Sequence, residues 1–383
     1  MKAVIFGAGS AGKYLYDEII KNSADIEIVG FLDNYLKDTY KGIPIYDPLP
    51  FLTHWSGPVF IAAGAQKTLK EMIRECCSNH IYDIYMMHDI AGKCHLPLFD
   101  HNKLIGTRIR KLKFSESKPS LSYFEVPITD ICNLNCKGCL FASNISQGTQ
   151  HISLDIIKKD ALRMSELFYD IPWIRILGGE PLMHPDIVEI LKFYRKQFPE
   201  SELDLCTNGL LIPKMPEEFW TCIKGERISI HISGYKPVYS LLDKIDEILK
   251  RQNIPYAILK REKFLKYYTD RPTNDMQKSF EKCIASGCHE VYKGKLSTCS
   301  AVIAFEKFNS IFGTDYQIIE NEDWFDIHNP ELNAWDIKAK LESPSFACKY
   351  CSDSVQESFD WDYSNSSPSL TEYLISSEGR KIK

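Results

Sequence analysis

The chain has 383 residues, a formal net charge of −5 and 13 cysteines. That length predicts two or three domains, and the acidic balance excludes nucleic acid as the expected partner. The odd cysteine count, the uneven spacing and a start (Met1-Lys2-Ala3-Val4-Ile5-Phe6-Gly7) that reads as a strand rather than a secretory run exclude a disulfide framework. No apolar stretch reaches membrane-spanning length, so a reduced, cytoplasmic protein with no membrane partner is expected.

In chain order, residues 2–6 read as a buried strand that leads into Gly7-Ala8-Gly9-Ser10-Ala11-Gly12 and then a helix over 13–21. This is GxGxxG between a strand and a helix, where glycines allow a tight turn and a close approach of phosphate to the helix start. A second strand over 26–32 ends at Asp33, placing a carboxylate where a ribose hydroxyl would be held. Further strands at 59–63 and 83–87 complete an alternation of β and α runs, which predicts a Rossmann-like parallel sheet over residues 1–100. The stretches 6–19, 30–34 and 42–47 resemble the N-terminal domain of sugar acyltransferases of the sialic-acid and bacillosamine type, and related domains of polysaccharide-synthesis proteins. The resemblance implies a nucleotide or sugar-nucleotide ligand, with Gly7, Gly9, Gly12 and Asp33 at its site. Cys76, Cys77 and Cys94 lack ligand spacing and read as ordinary thiols.

Residues 101–121 carry Ser, Pro and charge and read as a linker; Lys103, Arg108, Arg110, Lys111 and Lys113 are expected to be solvated. From 122 to 272 strands (123–129, 173–178, 203–207, 227–233, 255–260) alternate with helices near 154–168, 186–197 and 237–251. Five or six such units predict a partial (β/α)6 barrel whose active groups gather at the C-terminal strand ends.

At one such end stands Cys132-Asn133-Leu134-Asn135-Cys136-Lys137-Gly138-Cys139. Three soft thiols select an iron–sulfur cluster, or zinc completed by a distant fourth ligand. The CxxxCxxC spacing, followed after the next strand by Gly178-Gly179-Glu180-Pro181, resembles the radical S-adenosylmethionine (radical SAM) superfamily. The resemblance implies a 4Fe–4S cluster on Cys132, Cys136 and Cys139 whose unligated iron binds the methionine part of S-adenosylmethionine. Gly178, Gly179, Glu180 and Pro181 would line the methionine amino group, and Asn208 and Ser233 would reach the ribose or carboxylate. It implies a 5′-deoxyadenosyl radical and an electron donor such as flavodoxin or ferredoxin. Where many members carry an aromatic residue before the third cysteine this chain has Gly138, and Phe141 is expected to fill the space. His231, Tyr235 and Lys236 are candidate proton handlers.

Residues 273–360 hold a second group, Cys283, Cys288, Cys299, Cys348 and Cys351. Its pattern resembles the twitch form of the SPASM extensions of radical SAM enzymes. That implies an auxiliary iron–sulfur cluster, of the 4Fe–4S type, on Cys283, Cys299, Cys348 and Cys351, with Cys288 spare or replacing Cys283; zinc at the same positions is the alternative. The polar tail, 361–383, is expected to be an extended cover or partly disordered. Together these features predict an enzyme, an oxidoreductase or isomerase, that abstracts hydrogen from a small polar substrate. A sugar or sugar nucleotide that is dehydrogenated or epimerised leads; a peptide maturase and a non-catalytic iron–sulfur sensor are the alternatives.

Overall fold

The computed structural model describes residues 1–22, 25–63, 66–87, 109–146, 151–266, 268–283, 285–354 and 357–375; Cys94, Lys103, Arg108 and the end of the polar tail lie outside these residues. The first sheet contains β1 (Lys2–Phe6), β2 (Glu27–Leu32), β3 (Asp38–Tyr40), β4 (Ile43–Tyr46), β5 (Val59–Ile61), β6 (Ile84–Met87) and β7 (Ile109–Lys111). Its order is β3-β4-β2-β1-β5-β6-β7. The strands from β4 to β6 run parallel, and β3 and β7 flank them antiparallel. Alternate residues of β1 enter two cores: Ala3 and Ile5 pack with Leu15 and Phe31, Val4 and Phe6 with Leu69 and Ile84. Helices α1 (Ser10–Asn22), α2 (Pro48–Leu52) and α3 (Gln66–Ser78) belong to this part. A sheet buried on both faces explains the near-continuous apolar runs of its strands.

Within the described part of the linker expected at 101–121, Ile109–Lys111 form β7, paired with β6. Arg110 is not solvated: it is buried and ion-paired with buried Asp170, while Lys111 pairs with Asp83 at 2.5 Å and Lys113 with Glu200 at 2.5 Å. The core that holds Val4 and Phe6 continues into Tyr123 and Trp173, so apolar packing joins the first sheet to the second.

The second sheet is built on β8 (Phe124–Pro127), β9 (Trp173–Leu177), β10 (Glu202–Thr207), β11 (Ile228–Gly234) and β12 (Tyr256–Lys260), joined by α4 (Leu154–Leu167), α5 (Ile187–Gln197), α6 (Glu217–Gly225) and α7 (Leu242–Gln252). These strands are parallel and neighbours in chain order. Helix α6 escaped the sequence reading because it is short and starts directly after Pro216. The sixth unit of a (β/α)6 barrel is replaced. After β12 the chain leaves the sheet as β13 (Lys263–Lys266), which pairs antiparallel with β17 (Glu357–Asp360). On the other side β14 (Glu290–Tyr292) pairs parallel with β8 and continues into β15 (Lys295–Ser297) and β16 (Trp324–Asp326). Helices α8 (Met276–Lys282), α9 (Ser300–Phe312) and α10 (Ala334–Leu341) surround that hairpin. Residues 361–375 of the tail are ordered against the cysteine loop, the extended cover anticipated for them.

Candidate metal and cofactor centre

Strand β8 delivers the chain to the cysteine loop, and the turn after β9 locks that approach. Gly179 N–H donates to Thr129 O at 2.7 Å and Glu180 N–H to Ile131 O at 2.8 Å. A Cβ on Gly178 (φ +144°) would sit 2.5 Å from Thr129 O, and one on Gly179 2.3 Å from Ile131 O. Both glycines are therefore required by the contact between two loops, where the sequence suggested approach to a ligand. Glu180 is fully buried and its carboxylate is used as a brace. Leu182 N–H (3.0 Å) and Thr207 Oγ1–H (2.6 Å) donate to Oε1, and Asn208 N–H (2.9 Å) donates to Oε2. Burial pushes its pKa up to about 7, against the pull of these three donors. Glu180 thus ties the turn after β9 to the end of β10. Asn208 completes the tie: its Nδ2 donates to Asn133 Oδ1 inside the cysteine loop at 2.7 Å, and its Oδ1 accepts Leu210 N–H at 2.9 Å.

The thiols of Cys132, Cys136 and Cys139 share one small apolar cluster with Leu134 and Trp361. Burial pushes the Cys136 thiol up to about 12, and the charge of Cys139 adds to it. The Cys132 thiol is raised by burial and by Cys139, Glu180 and Cys136, against the Leu134 N–H. Thiols in this setting stay protonated unless a metal cation stabilises the thiolate. Two of the sulfurs already accept N–H donors: Leu134 N–H to Cys132 Sγ at 3.4 Å, and the indole Nε1–H of Trp361 to Cys136 Sγ at 3.2 Å. Among the described residues no three His, Cys, Asp or Glu side chains converge at single-ion distance. The donor set, soft and ringed by N–H groups, fits a cluster.

The tail supplies the cover. Lys137 N–H donates to Asp362 O (3.0 Å) and Ser364 N–H to Asn135 O (2.7 Å). A Cβ on Gly138 (φ +63°) would meet the Phe359 ring at 2.9 Å, so Phe359, not Phe141, packs at that position. Tyr235 lies between Phe264 (centroids 5.4 Å apart) and Trp361 (6.4 Å). Its phenol is raised by burial and by the charges of Cys136, Cys139 and Cys206, which keeps it protonated and makes it a poor acid. Ser233 Oγ is 3.8 Å from Cys206 Sγ. His231 is buried on β11, where it pairs across to Cys206 of β10. Lys236 opens the turn that follows β11. Phe141 contributes its carbonyl, which accepts Lys307 Nζ at 2.7 Å. Lys307 also binds Asp130 at 2.6 Å, and Tyr292 donates to Asp130 at 2.6 Å, a brace under the loop that sequence reading missed.

The second cysteine group is carried by three neighbouring elements. Cys283 ends α8, Cys299 precedes α9, and Cys348 and Cys351 lie on and after the turn Phe346–Tyr350. Besides burial, the charges of Cys299, Cys283 and Cys348 raise the Cys351 thiol, and those of Cys348 and Cys283 raise Cys299. Cys288 packs on the core of Tyr123 and Trp173, with Glu125 and Arg175 first among its charged neighbours and Cys283 also among them.

A charged row crosses the second sheet. Glu125, Arg175 and Asp204 are register partners on β8, β9 and β10, and Glu290 of β14 pairs with Glu125. Arg175 lies 3.3 Å from Asp204 and 3.8 Å from Glu125. Glu290 is fully buried with neither carboxylate oxygen hydrogen-bonded. Burial, then the charge of Glu125, push its pKa well above the ordinary 4.5. The native state therefore holds a proton that the unfolded chain releases, and stability contributed by the neutral acid is lost as pH rises above 4.5. Glu290→Gln is expected to stabilise the protein by about 1–3 kcal/mol at pH 8, with a smaller gain at pH 5. Thermal midpoints at the two pH values check this; an unchanged or lower midpoint at pH 8 contradicts it.

In the first sheet the strand order reverses at β1, the place where open α/β sheets take ligands. A Cβ on Gly7 (φ +105°) would lie 2.3 Å from Ala62 O and one on Gly12 1.7 Å from Gly7 O, whereas Gly9 has nothing within 4 Å. Gly7 and Gly12 are thus set by packing, and Gly9 alone leaves open space. Asp33 Oδ2 accepts Ala8 N–H at 2.9 Å and Oδ1 accepts Tyr35 and Leu36 N–H at 2.9 Å each. Burial opposes its ionisation, but these donors and Lys37 hold the carboxyl below the ordinary range. The acid placed at a ribose by its spacing is here engaged with its own turn and the glycine loop.

Residues 126–290 match the Radical SAM superfamily. Curated relatives include GTP 3′,8-cyclase of Peptoclostridium acidaminophilum, 34% identical over 119 residues, which are 30% of this chain and 36% of that protein. GTP 3′,8-cyclase of Alkaliphilus oremlandii (strain OhILAs) is 28% identical over 130 residues, 34% of this chain and 39% of that protein. The chain thus spans between a third and two fifths of the length of these relatives. Among solved structures, BtrN in complex with AdoMet and 2-DOIA has a TM-score of 0.40 at 15% identity, covering 61% of this chain and 94% of that one. The structure of anSMEcpe with bound AdoMet has a TM-score of 0.31 at 18% identity, covering 37% and 43%.

Proposed function

Because residues 126–290 form a radical SAM superfamily domain, we propose that this chain cleaves S-adenosylmethionine reductively and uses the radical to take hydrogen from a small polar substrate. The observation that carries the reading is a loop of three thiols, Cys136 buried and Cys132 and Cys139 half-buried in one apolar cluster, pinned to the Gly178–Pro181 turn through Thr129 and Ile131. Cys132, Cys136 and Cys139 would hold three irons of a 4Fe–4S cluster and leave the fourth for the methionine group. When bound, that cluster supplies one electron to the sulfonium and so releases a 5′-deoxyadenosyl radical. The chain's own residues fix and shield the site. Glu180 and Asn208 immobilise the loop, and Trp361, Phe359, Phe264 and Tyr235 keep water from it. Cys283, Cys299, Cys348 and Cys351 would hold an auxiliary cluster, closed by four thiolates, that can accept an electron from the substrate; flavodoxin or ferredoxin would supply the first.

A sugar or sugar nucleotide is the substrate class we favour. Support comes from the resemblance of the first hundred residues to sugar-nucleotide domains and from the open approach at Gly9. The matched relatives are named for a reaction of GTP, which supports a nucleotide-bearing substrate and adds ring closure to dehydrogenation and epimerisation as outcomes. No helix among the described residues is long and apolar enough to cross a membrane. The test is release of 5′-deoxyadenosine by anaerobically reconstituted protein with dithionite and S-adenosylmethionine, with sugar nucleotides, nucleotides and peptides compared as accelerators. Release stimulated by a sugar nucleotide supports the reading; stimulation by peptides alone overturns the substrate class, and no release overturns the reaction.

Trp361→Phe keeps an aromatic ring in place but removes the donor to Cys136. Loss of an N–H···S bond disfavours the more negative, reduced cluster. A more negative reduction potential is expected, read by potentiometric EPR spectroscopy, with turnover slowed about ten- to a hundredfold. An unchanged potential would show that the indole does not tune the site.

A further inference from the structure

At the end of the second sheet opposite the thiols, a cavity of about 810 Å³ opens between α3, the connector after β7 and α10. Helix α3 turns Lys70, Ile73, Arg74 and Cys77 to it, one helical face at intervals of three and four residues. Trp335 and Lys338 of α10, and Glu342 just beyond, form the facing wall. Glu342 is shared by two of these cations: it lies 3.4 Å from Arg74 and is hydrogen-bonded to Lys338. Lys70 has a different partner. Its ammonium rests against Nε2 of His289, which is fully buried and donates from Nδ1 to Thr298 O at 2.8 Å. That pattern fixes the neutral imidazole, held so by burial and by the Lys70 charge. The ammonium therefore enters the interior against a neutral acceptor. Burial pushes it down to about 8, the charges of Lys338 and Arg74 add to the fall, and the charge of Glu342, shared with those two cations, only partly opposes it.

Aromatic rings and serines share the rest of the wall, the latter Ser115, Ser120 and Ser122. Trp335 is 45% exposed and Tyr82 51% exposed, and Tyr82 stands edge-on to Phe114 at 5.6 Å. The other charges at the rim are largely spoken for, Lys113 by Glu200 and Asp170 by Arg110; Glu116 is exposed. A surplus of cations beside half-exposed rings in a cavity of this size is the chemistry of a ligand site.

We propose that this cavity binds a small phosphate ester carrying a flat ring, a nucleoside phosphate, with the phosphate on Lys70, Arg74 and Lys338 and the ring on Trp335. This site is separate from the thiol loop and from the glycine loop after β1. It needs neither metal nor radical chemistry, so it stands or falls independently of the reaction proposed above.

Isothermal titration of the full chain with GDP, UDP and inorganic pyrophosphate tests it. GDP or UDP is expected to bind, about tenfold or more weaker in Lys70→Met and in Lys338→Ala. Trp335→Ala, at a half-exposed position that folding tolerates, is expected to weaken the nucleotides and leave pyrophosphate unchanged. Gly9→Val is expected to leave this binding intact. The proposal is overturned if none of the probes binds, if the lysine and tryptophan variants bind like the parent, or if Gly9→Val alone removes binding.

Discussion

Cys136→Ala is expected to abolish 5′-deoxyadenosine formation while leaving the chain folded. Under the proposed function each thiol of the loop would serve one iron, and among the described residues no further cysteine belongs to the apolar cluster around Leu134 and Trp361. Iron and sulfide are expected to fall by about half, because the second thiol group would keep its own cluster. The fold survives because the loop is held by backbone bonds to Gly179 and Glu180 and by the tail at Asn135 and Lys137, none of which uses the sulfur. Removing the sulfur costs about 1 kcal/mol of packing. Metal analysis, chromatography of the products and circular dichroism check the three parts. Full iron content in the variant would mean that Cys136 is not a ligand.

Cys351→Ala is expected to do the reverse. As ligands of the proposed auxiliary cluster, Cys283, Cys299, Cys348 and Cys351 would join the end of α8, the start of α9 and the turn Phe346–Tyr350, elements otherwise held by an aromatic core. In that core Phe305 stacks on Tyr316 at 4.5 Å and meets Tyr350 edge-on at 5.4 Å. A metal group binding only the folded arrangement adds its binding energy to stability. Its loss is expected to lower the thermal midpoint by about 10 °C, while the loop cluster still responds to S-adenosylmethionine. If the auxiliary group takes the substrate electron, the variant also cleaves S-adenosylmethionine without completing an oxidation. A variant with an unchanged midpoint and iron content would remove the case for a ligand at Cys351.

Local spacing explains what the sequence made legible. Three cysteines within eight residues and a Gly-Gly-Glu-Pro turn carry their chemistry in adjacent positions, so both could be read and placed at strand ends. The roles inside the motifs were harder. Glu180 reads as a group for a ligand, and only its meeting with Thr207 and Asn208 on another strand shows a buried brace. Trp361 lies 225 residues from Cys136, and no periodicity links them. Glu290 meets Glu125 through the register of β14 on β8, which becomes visible only when the hairpin is seen to extend the sheet beyond β8. Cys283 and Cys288 are close in sequence, yet the turn between them sends one to the second thiol group and the other to the core under the first sheet. Gly138 marked a departure from the family pattern correctly, but the ring beside it comes from β17, not from its neighbour Phe141.

EPR spectroscopy of the anaerobically reconstituted, dithionite-reduced protein, with and without S-adenosylmethionine, reaches the central claim most directly. Two cluster signals are predicted, of which one changes shape when S-adenosylmethionine is added and is missing from Cys136→Ala. Zinc without iron in the thiol loop, or cluster signals indifferent to S-adenosylmethionine, would contradict an iron left open by three thiolates.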